Sequence, residues 1–217
     1  DLVVKFTHHE QHAASAFYPS GFAESAVLVL DNFGDRDPNN PHARETVSLW
    51  HGKGRQLRHV RTMHSPAYQF ADVPDDCAVH FSPGNFYTDC TVYSGFKVLD
   101  GGKTMGLSPY GTDRLLEPLL AYVKFLDDGG IEFDRGYQKM LRDDIAAHGD
   151  TFEARADVAF AAQTILERCV MHYCKLAHRL IGSDNLCLAG GIALNSVANG
   201  KILAQTPFTH LFVQPAA

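Results

Sequence analysis

Ser25-Ala26-Val27-Leu28-Val29-Leu30-Asp31-Asn32-Phe33-Gly34-Asp35 runs apolar, closes on an acid and then turns. Its Val and Leu content and its length predict a buried strand over Ser25–Asp31, with Asn32 to Asp35 supplying turn chemistry. Downstream, Arg36 to Arg44 reads as a polar, Pro-containing loop. Thr46 to Trp50 and Gln56 to Val60 read as a hairpin around His51-Gly52-Lys53-Gly54. An acid at a strand end beside a glycine turn suits contacts to Mg-phosphate or hydroxyl groups, although turn chemistry by itself also selects Asp, Asn and Gly there.

Upstream lies Thr7-His8-His9-Glu10-Gln11-His12-Ala13-Ala14-Ser15-Ala16-Phe17, a helix-compatible stretch read as helical over Gln11 to Tyr18 and stopped by Pro19-Ser20-Gly21. Residues four apart share a helical face, so His8 and His12 can aim two imidazoles at one metal ion, with His9 and His12 as a rival pair. Neutral imidazole suits zinc or iron. Histidines at this spacing also occur as plain surface or hydrogen-bonded residues.

Composition narrows the classes of function. The chain of 217 residues is 45% apolar, enough for a well-buried core in one large domain or two small ones. A net charge of -6, with no Lys/Arg stripe, argues against a nucleic-acid or anionic-membrane partner. Cys77, Cys90, Cys169, Cys174 and Cys187 are odd in number and lack C-x-x-C spacing, which reads as reduced thiols in a cytoplasmic protein. No signal peptide or membrane-length apolar run is present, and the chain starts without Met inside Leu2-Val3-Val4, as a processed or excised piece would.

Further along, Ser82 caps a helix over Gly84 to Tyr93 with Pro83 at its first position, and Phe86, Cys90 and Tyr93 form a core face. Gly101-Gly102-Lys103-Thr104-Met105-Gly106-Leu107 offers close backbone approach and a point charge for phosphate. It does not fit the P-loop pattern, and it reads equally as a Gly-rich turn with a solvated Lys. Arg114 to Leu126 reads as a helix interrupted by Pro118 and ended by Asp127-Asp128-Gly129-Gly130, and residues 131–150 are too polar and mixed to assign. Phe152, Ala156, Ala159, Gln163, Leu166, Val170, Tyr173, Ala177 and Leu180 recur at steps of three and four, predicting a long amphipathic helix over Phe152–Ile181 stopped by Gly182. A β-α-β unit follows: a strand at Asn185–Ala189, a helix near Ala193 to Leu203 and a strand at Thr209–Val213. Gly190-Gly191 then sits where strand meets helix, a place where nucleotides bind and where close packing also demands Gly.

Strand, turn and hairpin together resemble the start of a ribonuclease-H-like sheet. Five ordered runs extend the likeness across nearly the whole chain: His8 to Ser20, Val27 to Asp35, Gly95 to Val98, Lys103 to Gly111 and Leu188 to Asn195. In order and spacing they resemble the O-carbamoyltransferases of the nodulation and antibiotic-tailoring type. The resemblance implies an α/β fold of the actin-like, ribonuclease-H-like kind, a mixed sheet flanked by helices, related to the tRNA threonylcarbamoyl-transfer protein. It makes residues 1–217 a partial catalytic domain, without the N-terminal subdomain, the C-terminal end and a carbamoyl-phosphate-processing domain, and so inactive as it stands.

The same resemblance implies that His8 and His12 bind a metal, iron or zinc, beside nucleotide phosphates, with His9 a neighbour only. It places phosphate or metal at the Asp31–Asp35 turn, with Asp31, Gly34 and Asp35 as contacts. Lys103 and Gly106 fall near an acyl-adenylate, and Gly190, Gly191 and Asn195 at adenosine. The implied reaction uses ATP and carbamoyl phosphate to make carbamoyl-adenylate, whose carbonyl is attacked by a small-molecule hydroxyl, as of a sugar or natural product. The family reads Asp-Gly-x-Gly-Glu where this chain has Asp31-Asn32-Phe33-Gly34-Asp35, and its third metal ligand is an Asp just past the stretch matching Pro215-Ala216-Ala217. Two other readings fit parts of the pattern: an actin-like small-molecule kinase, which needs neither His8 nor His12, and a non-catalytic nucleotide-binding fragment.

Overall fold

A computed structural model describes residues 6–66 and 79–217; Leu2-Val3-Val4 and Cys77 lie outside the described residues. Along the chain the elements are α1 His8–Phe17, β1 Glu24–Leu30, β2 Arg36–Asp37, β3 Asn40–Lys53, β4 Gln56–Pro66, β5 Val79–His80, α2 Pro83–Tyr93 and α3 Gly101–Leu107. Then come α4 Leu116–Leu120, β6 Val123–Phe125, β7 Ile131–Asp134, α5 Gly136–His148, α6 Phe152–Ile181, β8 Asn185–Ala189, α7 Ser196–Asn199, α8 Ile202–Gln205 and β9 His210–Val213. The described chain forms two compact units. The first takes in the described part of Asp1–Ala67 with Met171–Ala217, and the second the described part of Tyr68–Val170.

The first unit is mixed α/β. β1 pairs antiparallel with β3 and parallel with β8, and β8 pairs parallel with β9. β4 lies antiparallel along the far side of β3, while β2 pairs with the start of β3. Six of the seven β1 residues are buried, as its unbroken apolar run requires of a central strand. One core cluster gathers Ala13, Ala16 and Phe17 of α1 with Val27, Val29, Trp50, Cys187 and Ala189 of the sheet. Two glycines make close packing possible here. A Cβ on Gly52 would meet the Phe17 ring at 2.4 Å, and one on Gly190, at φ +90°, would strike Leu30 O at 2.3 Å.

In the second unit Ser82 accepts from Asn85 N–H and starts α2 as expected, with Phe86 and Cys90 buried and Tyr93 half-buried. Phe133 stacks between His80 and Phe86, with ring centroids 5.0 Å away on each side. His80 Nδ1 accepts from Ser82 N–H, its Nε2 pairs with the Tyr137 hydroxyl at 3.1 Å, and that hydroxyl donates to Asp89 at 2.6 Å. Arg114 joins Asp157 and Asp144 at 2.7 and 2.6 Å, and their carboxyls are held below the usual range. For Asp144 the Arg114 bond is the leading cause, and for Asp157 the bonds from Arg114 and Thr112 outweigh burial.

The helix at Phe152–Ile181 and the strand at Asn185–Ala189 fall on the residues expected. Elsewhere the boundaries move for physical reasons. α1 starts at His8, because Thr7 and Glu10 form a capping box whose Thr7 hydroxyl accepts from Glu10 N–H. The polar Arg36–Arg44 stretch contains a tight hairpin, with Asp37 opposite Asn40, whose backbone is satisfied by pairing. The β3–β4 turn is Gly54-Arg55, so His51, Gly52 and Lys53 lie in the strand. Gly101–Leu107 is helical, with Lys103 tied to Asp100 at 2.9 Å. Arg114–Leu126 holds the short α4, in whose first turn Pro118 gives up no needed N–H, and then strand β6; Asp127–Gly130 links β6 to β7. Residues 131–150 supply β7 and α5. The expected Ala193–Leu203 helix is broken, because Asn195 Oδ1 accepts from Ala198 N–H and restarts the chain there. Among the described residues, Cys90, Cys169, Cys174 and Cys187 are free and buried.

Burial lowers the pKa of His80 to about 3, with Arg135 pushing the same way, so the folded second unit holds His80 neutral. Against an unfolded value near 6.5, its contribution to stability is complete above about pH 6.5 and is lost as pH falls toward 3. Moving from pH 7.5 to 5.5 should therefore destabilise this unit by on the order of 1 kcal/mol through His80. Urea titrations of the parent and of His80→Phe should differ by that amount in their pH dependence. Equal pH dependence in the two would contradict it.

Candidate metal centre

α1 carries its histidines on two sides. Thr7 and Glu10 cap the helix, and Asp35 Oδ2 accepts from His8 N–H at 2.8 Å, so acids crowd the positive end of the helix dipole. His9 turns into the core with Ala13, Ala16 and Phe17, while His8 and His12 face the end of β1. There the two rings meet edge to face, with centroids 4.7 Å apart and Nε2 atoms 3.2 Å apart. Asp31 Oδ2 lies 2.9 Å from His8 Nε2 and 3.3 Å from His12 Nε2.

These three atoms fit a cation. Donors held 2.0–2.2 Å from one ion at tetrahedral or octahedral angles lie about 3–3.5 Å from one another, the spacing this triangle has. Among the described residues, His8, His12 and Asp31 form the group whose ligand atoms converge in this way. Two imidazoles and one carboxylate suit iron or zinc and leave coordination positions for a substrate oxygen.

Asp31 is held from both sides. Its Oδ1 accepts from Asn32 N–H at 2.8 Å and from Gly191 N–H at 3.3 Å, which leaves Oδ2 for the histidines. Burial raises the Asp31 pKa, but the bonds from His12, His8 and Asn32 outweigh it and bring it down to about 2. The carboxylate is therefore ionised and preset.

The other expected contacts separate into three groups. Gly190 and Gly191 lie at the same point as Asp31: a Cβ on Gly191 would stand 3.1 Å from Asp31 Oδ1, so its first neighbour is the carboxylate. Gly34 is buried, and the space its side chain would need is filled by the His9 ring and the Glu45 carboxylate. Asp35 gives Oδ2 to the α1 N-terminus, and buried Asn195 caps α7. Lys103 and Gly106 belong to the second unit, where Lys103 is paired with Asp100. The sequence reading put Asp31 among the phosphate contacts and looked for a third ligand beyond Ala217. The long-range β1–β8 pairing that presents Asp31 has no local signature.

A family model described as carbamoyltransferase N-terminus matches residues 1–217. Uncharacterized protein sll1178 of Synechocystis is 35% identical over 227 residues, covering 97% of this chain and 33% of that protein. Nodulation protein NolO of Bradyrhizobium diazoefficiens is 35% identical over 215 residues, covering 97% and 35%. The crystal structure of T. kodakarensis HypF superposes with a TM-score of 0.44 at 14% identity, covering 97% of this chain and 34% of that one. The chain thus spans about a third of the length of the curated relatives it matches.

Asp31→Asn keeps the size and the Oδ1 contacts but removes the anionic ligand. Metal affinity should fall by at least about tenfold with little change in the thermal melt. Titration of the apoprotein with Zn2+ or Fe2+ checks this, and undiminished affinity would remove Asp31 from the centre.

Proposed function

This chain belongs to the carbamoyltransferase N-terminus family, and from that premise we propose that the protein is an ATP-dependent O-carbamoyltransferase acting on a small-molecule hydroxyl. The observation that carries the reading is the convergence of His8, His12 and Asp31 beside the Gly190-Gly191 turn. An actin-like kinase has no need of such a triangle. The start of the sheet, a strand, a turn and a hairpin followed by parallel β8 and β9, supports the ribonuclease-H-like reading.

In this reading water takes the phosphate from carbamoyl phosphate to leave carbamate, whose oxygen then bonds to the α-phosphorus of ATP as pyrophosphate leaves, giving carbamoyl-adenylate. The acceptor oxygen forms a bond to the carbamoyl carbon as the bond to the adenylate phosphate oxygen breaks, AMP leaves, and the hydroxyl proton passes to solvent or a base. Iron or zinc held by His8, His12 and Asp31 would act as a Lewis acid on phosphoryl or carbonyl oxygen. Asp31 fixes the spacing of the imidazoles, and its Oδ1 holds the Gly191 amide in place at the turn where adenosine is expected. Lys103 offers its ammonium to developing negative charge, and orientation of the two reactants supplies much of the rate. Among the described residues no helix is long and apolar enough to cross a membrane.

The test uses the full-length protein that carries this chain, supplied with ATP, carbamoyl phosphate, Fe2+ or Zn2+ and a panel of sugar and natural-product hydroxyls, with O-carbamate and AMP as readouts. Both products should depend on all three additions, and His12→Ala should lose bound metal and reduce turnover at least a hundredfold. Full metal content and turnover in His12→Ala would refute the reading. Transfer of phosphate to the acceptor in place of carbamate would make the protein a kinase.

A further inference from the structure

We propose that His9 is the positioning residue of the metal centre: its ring, clasped between Ser48 of β3 and Gly34 of the β1 turn, sets the rotation of α1 and thereby aims His8 and His12 at Asp31. This rests on reading those three residues as a metal site.

A helix turns about 100° per residue, so a small rotation of α1 about its axis swings both imidazoles away from Oδ2. Phe17, seated against Gly52, anchors the C-terminal end of α1, but nearer the ligand histidines Ala13 and Ala16 are small, and apolar burial is non-directional. His9 lies on the same face, fully buried, and makes a directional bond. The Trp50 indole N–H donates to Ser48 Oγ at 2.8 Å, and Ser48 Oγ is hydrogen-bonded to His9 Nδ1 at 2.9 Å. On the opposite side a Cβ on Gly34 would lie 2.6 Å from His9 Cδ2 and 2.8 Å from Nε2, so the ring rests directly on the Gly34 backbone. Gly34 belongs to the turn that begins at Asp31, and Gly34 N–H donates to Glu45 O at 2.6 Å. Ser48, His9 and Gly34 therefore tie the helix bearing two ligands to the strand and turn bearing the third.

The choice of residue is telling. His9 Nε2 is buried with no hydrogen-bond partner, an arrangement that opposes folding, and an aromatic hydrocarbon would fill the space without that penalty. What a hydrocarbon cannot supply is the bond to Ser48.

The experiment titrates the apoprotein with Co2+, reading affinity and the visible absorption of the bound ion, with thermal melts in parallel. His9→Phe should weaken Co2+ binding at least tenfold and alter the absorption while the melt stays near that of the parent. Ser48→Ala should act in the same direction to a smaller extent, and Gly34→Ala should do so by driving a methyl into the ring. His9→Asn, which returns an amide to the place of Nδ1, should restore most of the affinity. If His9→Phe does not fold, Ser48→Ala and Gly34→Ala decide the matter. Parent-like affinity and absorption in the folded variants would overturn the positioning role. Failure of the parent to bind Co2+, or equal binding after His12→Ala, would instead overturn the metal-site reading and the inference with it.

Discussion

The carboxylate of Asp31 is the joint on which the first unit's chemistry depends, because its two oxygens serve different parts of the fold. Oδ1 takes the amides of Asn32 and Gly191, and Oδ2 faces the two imidazoles. Amide bonds to one oxygen fix the plane and rotation of the carboxyl, which leaves the other with one direction to point. A ligand set in this way loses little freedom when a cation arrives, and it stays ionised well below neutral pH.

Getting Asp31 there requires pairing over a long stretch of chain. β1 must find β8, parallel and in register from Ala26 with Leu186 to Val29 with Ala189, before Gly191 N–H can reach Oδ1. Gly190 shows how tight that closure is, since its missing side chain is what lets β8 end against Leu30 O. α1 is controlled locally instead. Thr7, Glu10 and Asp35 all spend oxygen atoms on its first turn, where each acidic contact contributes about 0.3–1 kcal/mol and keeps the His8 backbone from fraying.

How much of this was legible in the sequence follows from what is local. α6 and β8 could be placed to the residue because their periodicity is uninterrupted and Gly182 stops the helix. The His8 and His12 pair was legible because its spacing is a helix repeat. Asp31 was legible as the acid at a strand end and illegible as a partner of those histidines, since no spacing rule links a helix to a strand that starts after an intervening turn. β2 and α5 were missed because polar stretches satisfied by backbone bonds look like loops, and the capping box at Thr7 and Glu10 was a signal present and unread. Glycines were recognised as sites of close approach, but the protein groups they approach come from distant parts of the chain and carry no local signal. Gly34 makes room for His9, and Gly191 has Asp31 as its nearest neighbour.

Those glycine contacts bear on how the site is built. A glycine beside a ligand-binding turn can be there so that backbone meets ligand, or so that one protein group meets another that meets the ligand. Here the contacts of Gly34 and Gly191 run to His9 and Asp31, so both glycines pack against side chains that build the candidate centre. The residues of the metal triangle all come from the first unit, as do Ser48, Gly34 and Gly191 that hold it. A cation held there would depend on that unit's sheet and α1 alone, since every group that shapes the triangle is carried by them.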